Sequence, residues 1–482
     1  MTLRTALQWV GYGVFAYFIL MQAYILTLNM ISAWALRRDH HLNRFGRVTE
    51  MLSSRTTPPV TIVIPAFNEE VGIVDAVRSM SLLKYPRFEI VVVNDGSKDG
   101  TLQALIDAFR LEKVALPYRP DIETKPVRGL YRGRGAVDIT VIDKENGGRA
   151  DALNAGLNAA RYPYVLCTDA DVIFEGDALM RAMARVVEDR ERTVAVGGNI
   201  RPINESEVAL GHLIEAKVPR RLIPRMQVLE YVRTFLGVRP AWSAINGLPL
   251  ISGAFGVWRR SIAVAVGGFT PGHFGEDMDM TMKFHRHCRA QGIPNRIMYE
   301  PTAVAWTEVP ETRRVLRRQR IRWHRGLIQV VREFLPLAFR PRYGVLGMVT
   351  WPAIVAFEFL APIVEFIGWI VIPVAWAIGW LAWEPFLWLL VLAFGMGLLN
   401  SLVSLLLDEA HGYFDSKRDT ARLLVMAAIE NLGFRQLTVW WRIRAMLGGA
   451  ATKTWGNMER QGFATKTATA PPAPPASSAS RP

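Results

Sequence analysis

The chain has only two cysteines in 482 residues, Cys167 and Cys288. A disulfide framework and a cysteine-rich zinc centre are both unsupported, and the soluble part suits a reducing compartment. Charge is missing from two long stretches. No charged residue occurs from Ala6 to Leu36, and no lysine or arginine from Tyr343 to Ser416. The first stretch is far longer than the apolar core of a secretory signal, and no clear small-residue cleavage site follows it. About 20 apolar residues span a bilayer, so this stretch reads as a retained membrane helix.

What is abundant is positive charge alongside apolar surface. Lysine and arginine number 57 against 43 acids, a net +14, yet half of the residues are apolar and the mean hydropathy is +0.15. That pairing suggests membrane spans with basic cytoplasmic flanks. Arg37, Arg38, Arg44 and Arg47 follow the first stretch and only Arg4 precedes it. The positive-inside rule then puts the N-terminus outside and the rest in the cytoplasm. The second stretch reads as at least two spans, roughly 345–381 and 386–407, turning around "WEPF" (383–386). Arg342 before it and Lys417 and Arg418 after it imply an even number of crossings. A further segment, 421–441, carries Glu430 and Arg435 and either crosses or lies along the surface. Glu358 and Glu365 share one helical face. They line a polar conduit, or they reach the interfaces or pair with arginine. The closing "TATAPPAPPASSASRP" has the composition of disorder.

Residues 60–310 have a different texture. Short β-branched runs, "VTIVIPA" (60–66), "FEIVVVND" (88–95), "DITVIDKE" (138–145) and "YVLCTDAD" (164–171), alternate with helical patterns. This predicts an α/β fold with a mostly parallel sheet flanked by helices. The Pro-, Gly- and Arg-rich stretch 115–137 reads as an inserted loop. In "HRHC" (285–288) the two histidines diverge on a helix, so it reads as surface rather than as a metal site.

Acidic turns close the strands, where open α/β sheets bind ligands: "PAFNEE" (65–70), "NDGSKDGT" (94–101) and "DAD" (169–171), with "GEDMDM" (275–280) later. Each alone suits a helix cap or a solvated turn. In order with "KENGGRADALNAGL" (144–157), "ISGAFGVWRR" (251–260) and "QRIRW" (319–323), they form one series. That series resembles the family 2 inverting glycosyltransferases, in particular the membrane-embedded processive branch of cellulose, hyaluronan and poly-N-acetylglucosamine synthases. The resemblance covers roughly residues 58–330, and "WGNMERQGF" (455–463) is similar to a tail of some bacterial members.

A departing nucleotide diphosphate builds negative charge that fixed cations and a divalent ion must stabilise. Hard small cations prefer oxygen ligands. The residues alone do not separate Asp169 from Asp171; the resemblance gives Asp171 the metal, Mg²⁺ or Mn²⁺, and Asp169 the nucleotide. It also implies nucleotide-sugar contacts for Pro65, Ala66, Glu69 and Asp95, with Arg149 near the diphosphate. Many relatives carry two aspartates where this chain has Asn94-Asp95, and often lysine in place of Arg149. An acceptor hydroxyl needs a general base. Asp277 matches that position, with Glu276 beside it and Asp279 expected to face elsewhere. Arg320 and Arg322 lie on different sides of a helix, so they do not serve one phosphate equally. The resemblance favours Gln319, Arg322 and Trp323 for acceptor and diphosphate. Trp323 suits a sugar because its apolar face fits C–H groups while its N–H donates. Arg313, Arg314, Arg317, Arg318 and Arg325 are left to meet anionic lipid.

The expected plan is a membrane helix at 1–40, a cytoplasmic GT-A-like glycosyltransferase domain at 55–325, and an interfacial helix at 326–342. Transmembrane or interfacial helices at 343–447, a tail motif at 448–464 and a disordered end at 465–482 complete it. The expected activity is inverting transfer from a nucleotide sugar, UDP-N-acetylglucosamine or UDP-glucose, to a growing polysaccharide that is extruded across a bacterial inner membrane. Transfer of a single sugar to a lipid carrier is the alternative. Expected partners are the nucleotide sugar, a glycan acceptor, the bilayer and an accessory export or regulatory subunit. Nucleic acid is not among them, since the acidic turns would repel it.

Overall fold

The computed structural model describes residues 3–43, 57–115, 118, 120–135, 137–209, 211–379, 383–409 and 417–448. The tail motif, the closing tail, Arg44 and Arg47 lie outside the described residues.

Helix α1 (Leu3–Asn43) precedes an alternating series. It comprises β1 (Val60–Ala66), α2 (Ile73–Ser81), β2 (Phe88–Asp95), α3 (Thr101–Phe109), β3 (Glu112–Val114), β4 (Val127–Arg134) and β5 (Asp138–Lys144). Then come α4 (Arg149–Ala159), β6 (Tyr164–Cys167), β7 (Val172–Phe174), α5 (Ala178–Glu188) and β8 (Thr193–Pro202). A separate hairpin, β9 (Glu207–Ala209) and β10 (His212–Glu215), leads to α6 (Leu222–Val232), a π-helical turn (Arg233–Val238) and α7 (Arg239–Ala244). β11 (Gly256–Arg259), α8 (Arg260–Ala265), α9 (Glu276–Gln291), β12 (Arg296–Thr307) and α10 (Arg313–Phe334) follow.

Ten strands make one sheet in the order β3-β4-β5-β2-β1-β6-β11-β8-β12-β7. β1, β2 and β8 are buried along nearly their whole length, which is why they read as continuous apolar runs rather than alternating ones. Helix α4 is buried from Ala150 to Asn158, and its small residues let it press onto β1. A Cβ at Gly156 would lie 2.2 Å from Val63 Cγ1. Helix α5 instead buries one stripe, including Leu179, Met183 and Val186, at helical spacing.

The α/β sheet between helices agrees with the expected class, but it is mixed rather than mostly parallel. Four strand pairs are parallel and five antiparallel. The stretch expected as a loop supplies β4, which folds back beside β5. β11 enters antiparallel between β6 and β8. "HRHC" is not on the surface either: His285 and Cys288 are buried, and the His285 ring bonds the Leu248 carbonyl.

α10 runs unbroken through the expected boundary at 325/326. Beyond it lie α11 (Leu346–Phe359) and α12 (Ala361–Ala377), bent by 40° where they meet. α13 (Trp383–Glu409), α14 (Lys417–Ile429) and α15 (Phe434–Leu447) follow. "WEPF" opens α13 rather than forming a turn. Among the described residues, the segment Trp9–Arg38 is long and apolar enough to cross a membrane, and the bent pair α11–α12 would make a second span.

Polar contacts lace these helices together and to the sheet. Asn29 on α1 donates to Asn400 on α13 at 3.2 Å, and Asn400 donates to Gln22 at 2.8 Å. Arg201 at the end of β8 makes a buried two-pronged pair with Asp408 of α13, at 2.7 and 3.0 Å. Arg435 of α15 grips Glu365 at 2.9 and 3.1 Å, and Arg442 lies 3.7 Å from Glu358. Both acids therefore take the arginine-paired alternative.

Candidate active site

Two turns and two helix ends converge at the C-terminal edge of the central strands. The first turn follows β5. Asp95 closes β2 and is 3% exposed. Its Oδ1 accepts from Lys144 Nζ at 2.7 Å and from the Gly147 N–H at 3.0 Å, while Oδ2 accepts from the Gly148 N–H at 2.8 Å. Gly148 has φ +86, a conformation that side chains other than glycine resist. Asp95 thus moulds the glycine turn that launches α4. Its neighbour Asn94 donates to Asp143 at 2.8 Å and leaves its own Oδ1 buried without a partner.

Arg149, the first residue of α4, holds the centre together. Its Nε donates to Asp169 Oδ1 at 2.6 Å, Nη1 to Glu276 Oε1 at 3.0 Å, and Nη2 to the Gly253 carbonyl at 2.9 Å. One guanidinium therefore joins the "DAD" turn after β6, the "SGA" turn before β11 and the start of α9. The two carboxylates hold the Arg149 charge well above its ordinary range, against the opposing effect of burial. Gly253 also donates its N–H to Asp277 Oδ2 at 3.2 Å. Burial raises the Glu276 carboxyl above its usual range, with Arg149 pulling the other way and Asp277 adding to the rise. Asp279 faces away, bonded to Thr270 at 2.6 Å and paired with Lys283 at 3.0 Å.

α10 reaches this cluster through a contact between two glycines. A Cβ on Gly326 would lie 2.7 Å from the Gly275 nitrogen, so the helix passes directly over the "GED" turn. Arg322 is close enough to Glu276 to influence its proton affinity. Arg320 turns to the other side and grips Glu230 of α6 at 2.5 and 2.7 Å. Its guanidinium carbon also lies 4.5 Å over the Trp323 ring. Trp323 is 41% exposed. Gln319 has its Oε1 buried without a partner. Arg313, Arg314, Arg317 and Arg318 are exposed, and Arg325 is half-buried.

Asp169, Glu276, Asp277 and Arg149 therefore meet in one cluster, with Arg322 nearby. Pro65 and Ala66 end β1 opposite Val93 and Asn94. The Glu69 N–H donates to Thr101 Oγ1 at 2.9 Å. These three rim the same end of the sheet rather than joining the cluster.

The sequence reading missed Arg239. This arginine is 7% exposed, lies 3.9 Å over the Phe235 ring, and has its Nη1 buried without a partner. Burial lowers its proton affinity, and the Tyr299 and Asp277 charges work against that. Nothing in "GVRPAW" marks it; only the fold brings it towards Asp277.

Among the described residues, His273, Asp279 and Glu333 offer ligand atoms within 4.8 Å of one another. Lys283 already supplies a cation to Asp279 there. The Asp169–Ala170–Asp171 turn offers carboxylate oxygens, the donor type that hard divalent ions take. Asp169 is bound by Arg149. The Asp171 charge is felt by Tyr231, whose phenol burial pushes up to about 12.

The model for "Glycosyl transferase family 2" matches residues 61–236, and that for "Glycosyl transferase family group 2" matches 164–403. The chain is 30% identical over 277 residues to the poly-beta-1,6-N-acetyl-D-glucosamine synthase of Staphylococcus aureus (strain COL), covering 57% of this chain and 56% of that one. It is 29% identical over 278 residues to the same-named protein of Staphylococcus epidermidis, covering 58% and 57%. The matches thus span little more than half the length of these relatives. A mannosyltransferase from Pyrobaculum calidifontis, solved with GDP-mannose and Mn²⁺, aligns at a TM-score of 0.49 and 20% identity over 86% of this chain and 99% of that one. The two family matches overlap and together run through every motif from β1 to α10, and on them the chain belongs to glycosyltransferase family 2.

Proposed function

We propose that this protein is a membrane-bound inverting glycosyltransferase. It transfers a sugar from UDP-N-acetylglucosamine or UDP-glucose to the end of a growing polysaccharide on the cytoplasmic side of a bacterial inner membrane. The observation that carries this reading is the single guanidinium of Arg149 tying Asp169 to Glu276, beside Asp277. Nucleotide-end and acceptor-end carboxylates are thereby fixed in one frame.

In this reading Asp277 takes the proton of the acceptor hydroxyl, and that oxygen attacks the anomeric carbon opposite the leaving diphosphate, inverting it. The Gly253 N–H orients the Asp277 carboxylate at 3.2 Å. Arg322 faces the diphosphate. Arg149 spends one N–H each from Nε, Nη1 and Nη2 on Asp169, Glu276 and Gly253, so it positions both carboxylates while staying beside the diphosphate. Gln319 Oε1, buried and unpartnered, accepts from a sugar hydroxyl, and the exposed Trp323 face stacks on the acceptor ring. Asp171 would hold Mg²⁺ or Mn²⁺, which would neutralise charge on the leaving diphosphate. The domain at 55–325 carries the chemistry, and α1 with the helices after α10 forms the membrane part and the export path.

Purified protein in lipid nanodiscs would be given a panel of nucleotide sugars with Mg²⁺ or Mn²⁺, and nucleotide release and product length would be measured. Release with one donor and a polymeric product is expected. No release with any donor overturns the proposal, and a product stopping at one lipid-linked sugar overturns its processive part.

A further inference from the structure

We propose that a cleft at the opposite end of the sheet is a second ligand site, for a soluble phosphate-bearing anion. The cleft has a volume of about 510 Å³, within the usual range for small-molecule sites. Four arginines and two tyrosines shape it: Arg161, Arg190, Arg259, Arg260, Tyr162 and Tyr164.

The charges are not all answered from within the chain. Arg161 is paired with Glu89 and Asp138, and Arg260 with Asp121 at 3.0 Å. Arg259 donates only to neutral oxygens: the carbonyls of Arg190, Glu191 and Thr193, and the Tyr164 hydroxyl at 3.3 Å. The Arg190 side chain has no hydrogen-bond or ion-pair partner among the described residues. Two guanidinium charges thus face one cleft without a carboxylate of their own. Arg259 is also held rigid by its contacts, so little freedom is lost when an anion binds. Planar guanidinium groups match the oxygens of a phosphate two at a time. Arg87 and Arg161 both lie over the Tyr162 ring, at 5.3 and 5.9 Å, and further raise the positive potential at its rim.

The position favours a soluble ligand over a lipid headgroup. β8 starts beside the cleft, where the Thr193 carbonyl meets Arg259, and ends at Arg201, which is clamped to Asp408 of α13. Eight residue steps of a strand separate these points by roughly 25 Å. The cleft therefore lies far from the Arg201–Asp408 contact with α13.

The same strands link the cleft to the active site. Tyr164 and Arg259 are a cross-strand pair, and the ladder runs through Val165–Trp258 and Leu166–Val257 to Cys167–Gly256. There it opens into the turns that carry Asp169 and Gly253, both bound by Arg149.

Binding of inorganic pyrophosphate and of AMP to the full-length protein in nanodiscs would be measured by calorimetry, without donor, for wild type, Arg190→Ala and Arg259→Gln. Saturable binding of at least one probe is expected, weakened about tenfold or more in Arg190→Ala, with unchanged melting temperature and basal turnover. Absence of binding by both probes, or wild-type affinity in both variants, overturns the proposal. Binding confined to vesicles of anionic lipid, and lost in Arg190→Ala, overturns the soluble assignment. This binding readout needs no sugar transfer, so it stands or falls apart from the proposed activity.

Discussion

Arg149 Nη1 lies 3.0 Å from Glu276 Oε1, so the first residue of α4 is bonded to the first residue of α9, 127 positions away in sequence. The same guanidinium holds Asp169. Arg149→Met leaves both carboxylates without their shared cation. Nucleotide release should fall by about 10²–10³, the usual cost of removing a fixed charge from a reacting centre. Arg149→Lys keeps the charge but reaches fewer of the three acceptors, and should fall between. Wild-type turnover in Arg149→Met would sink the positioning role.

Asp277→Asn keeps the shape of the side chain and removes the proposed base. Transfer should drop by about 10²–10⁴, while UDP affinity measured by calorimetry stays within experimental error of wild type. Full turnover would refute the assignment, and loss of UDP binding would show a structural role instead.

Burial holds the Glu276 carboxyl above its ordinary value of 4.5. The folded protein therefore holds this proton more tightly than the unfolded chain does. The stabilising contribution is fully present below pH 4.5 and is lost as pH rises through the raised value. Glu276→Gln removes this loss. Its melting temperature relative to wild type should therefore climb between acidic and neutral pH. A difference that is flat or falls with pH would contradict this.

The two arginines of "QRIRW" should separate experimentally. Arg322→Met should lower nucleotide release with the melting temperature unchanged if, as proposed, Arg322 faces the diphosphate. Arg320→Met strips Glu230 of its two-pronged partner and Trp323 of the guanidinium over its ring. Stability and release should fall together. The reverse pattern in thermal melts and release assays would exchange their roles.

Gly326→Ala places a Cβ 2.7 Å from the Gly275 nitrogen, a contact with backbone that cannot swing aside. The helices must part, at about 1–3 kcal/mol. Glu276 and Asp277, the next two residues, move with the turn. Denaturant melts and release rates should both show the loss, whereas Gly292→Ala at the far end of α9 should leave release intact.

The strands that begin at Val60, Phe88, Asp138 and Tyr164 were legible because each is a continuous β-branched run ending in an acidic turn. β4 was not, since "VRGLYRGR" lacks a β-branched run, and its glycines and arginines are tolerated next to the sheet edge, where only the three-residue β3 covers its outer side. β11 sat in plain sight inside "ISGAFGVWRR", but its four residues give no clue to direction. The opposed faces of Arg320 and Arg322 followed from helix geometry alone. The Arg149 bonds and the burial of Arg239 did not, because both depend on which distant segments the sheet brings together.

The pair between Arg201 and Asp408 bears on how this enzyme can be handled. A version ending before Trp383 would keep Arg201 at the end of β8 and discard its counter-ion. Stranding one member of a buried pair costs about 3–5 kcal/mol, a large share of the stability of an ordinary domain. The glycosyltransferase half is therefore not a portable cassette. It should be expressed and engineered together with α13, and swapping its helices for those of a relative should require that the aspartate travel with them.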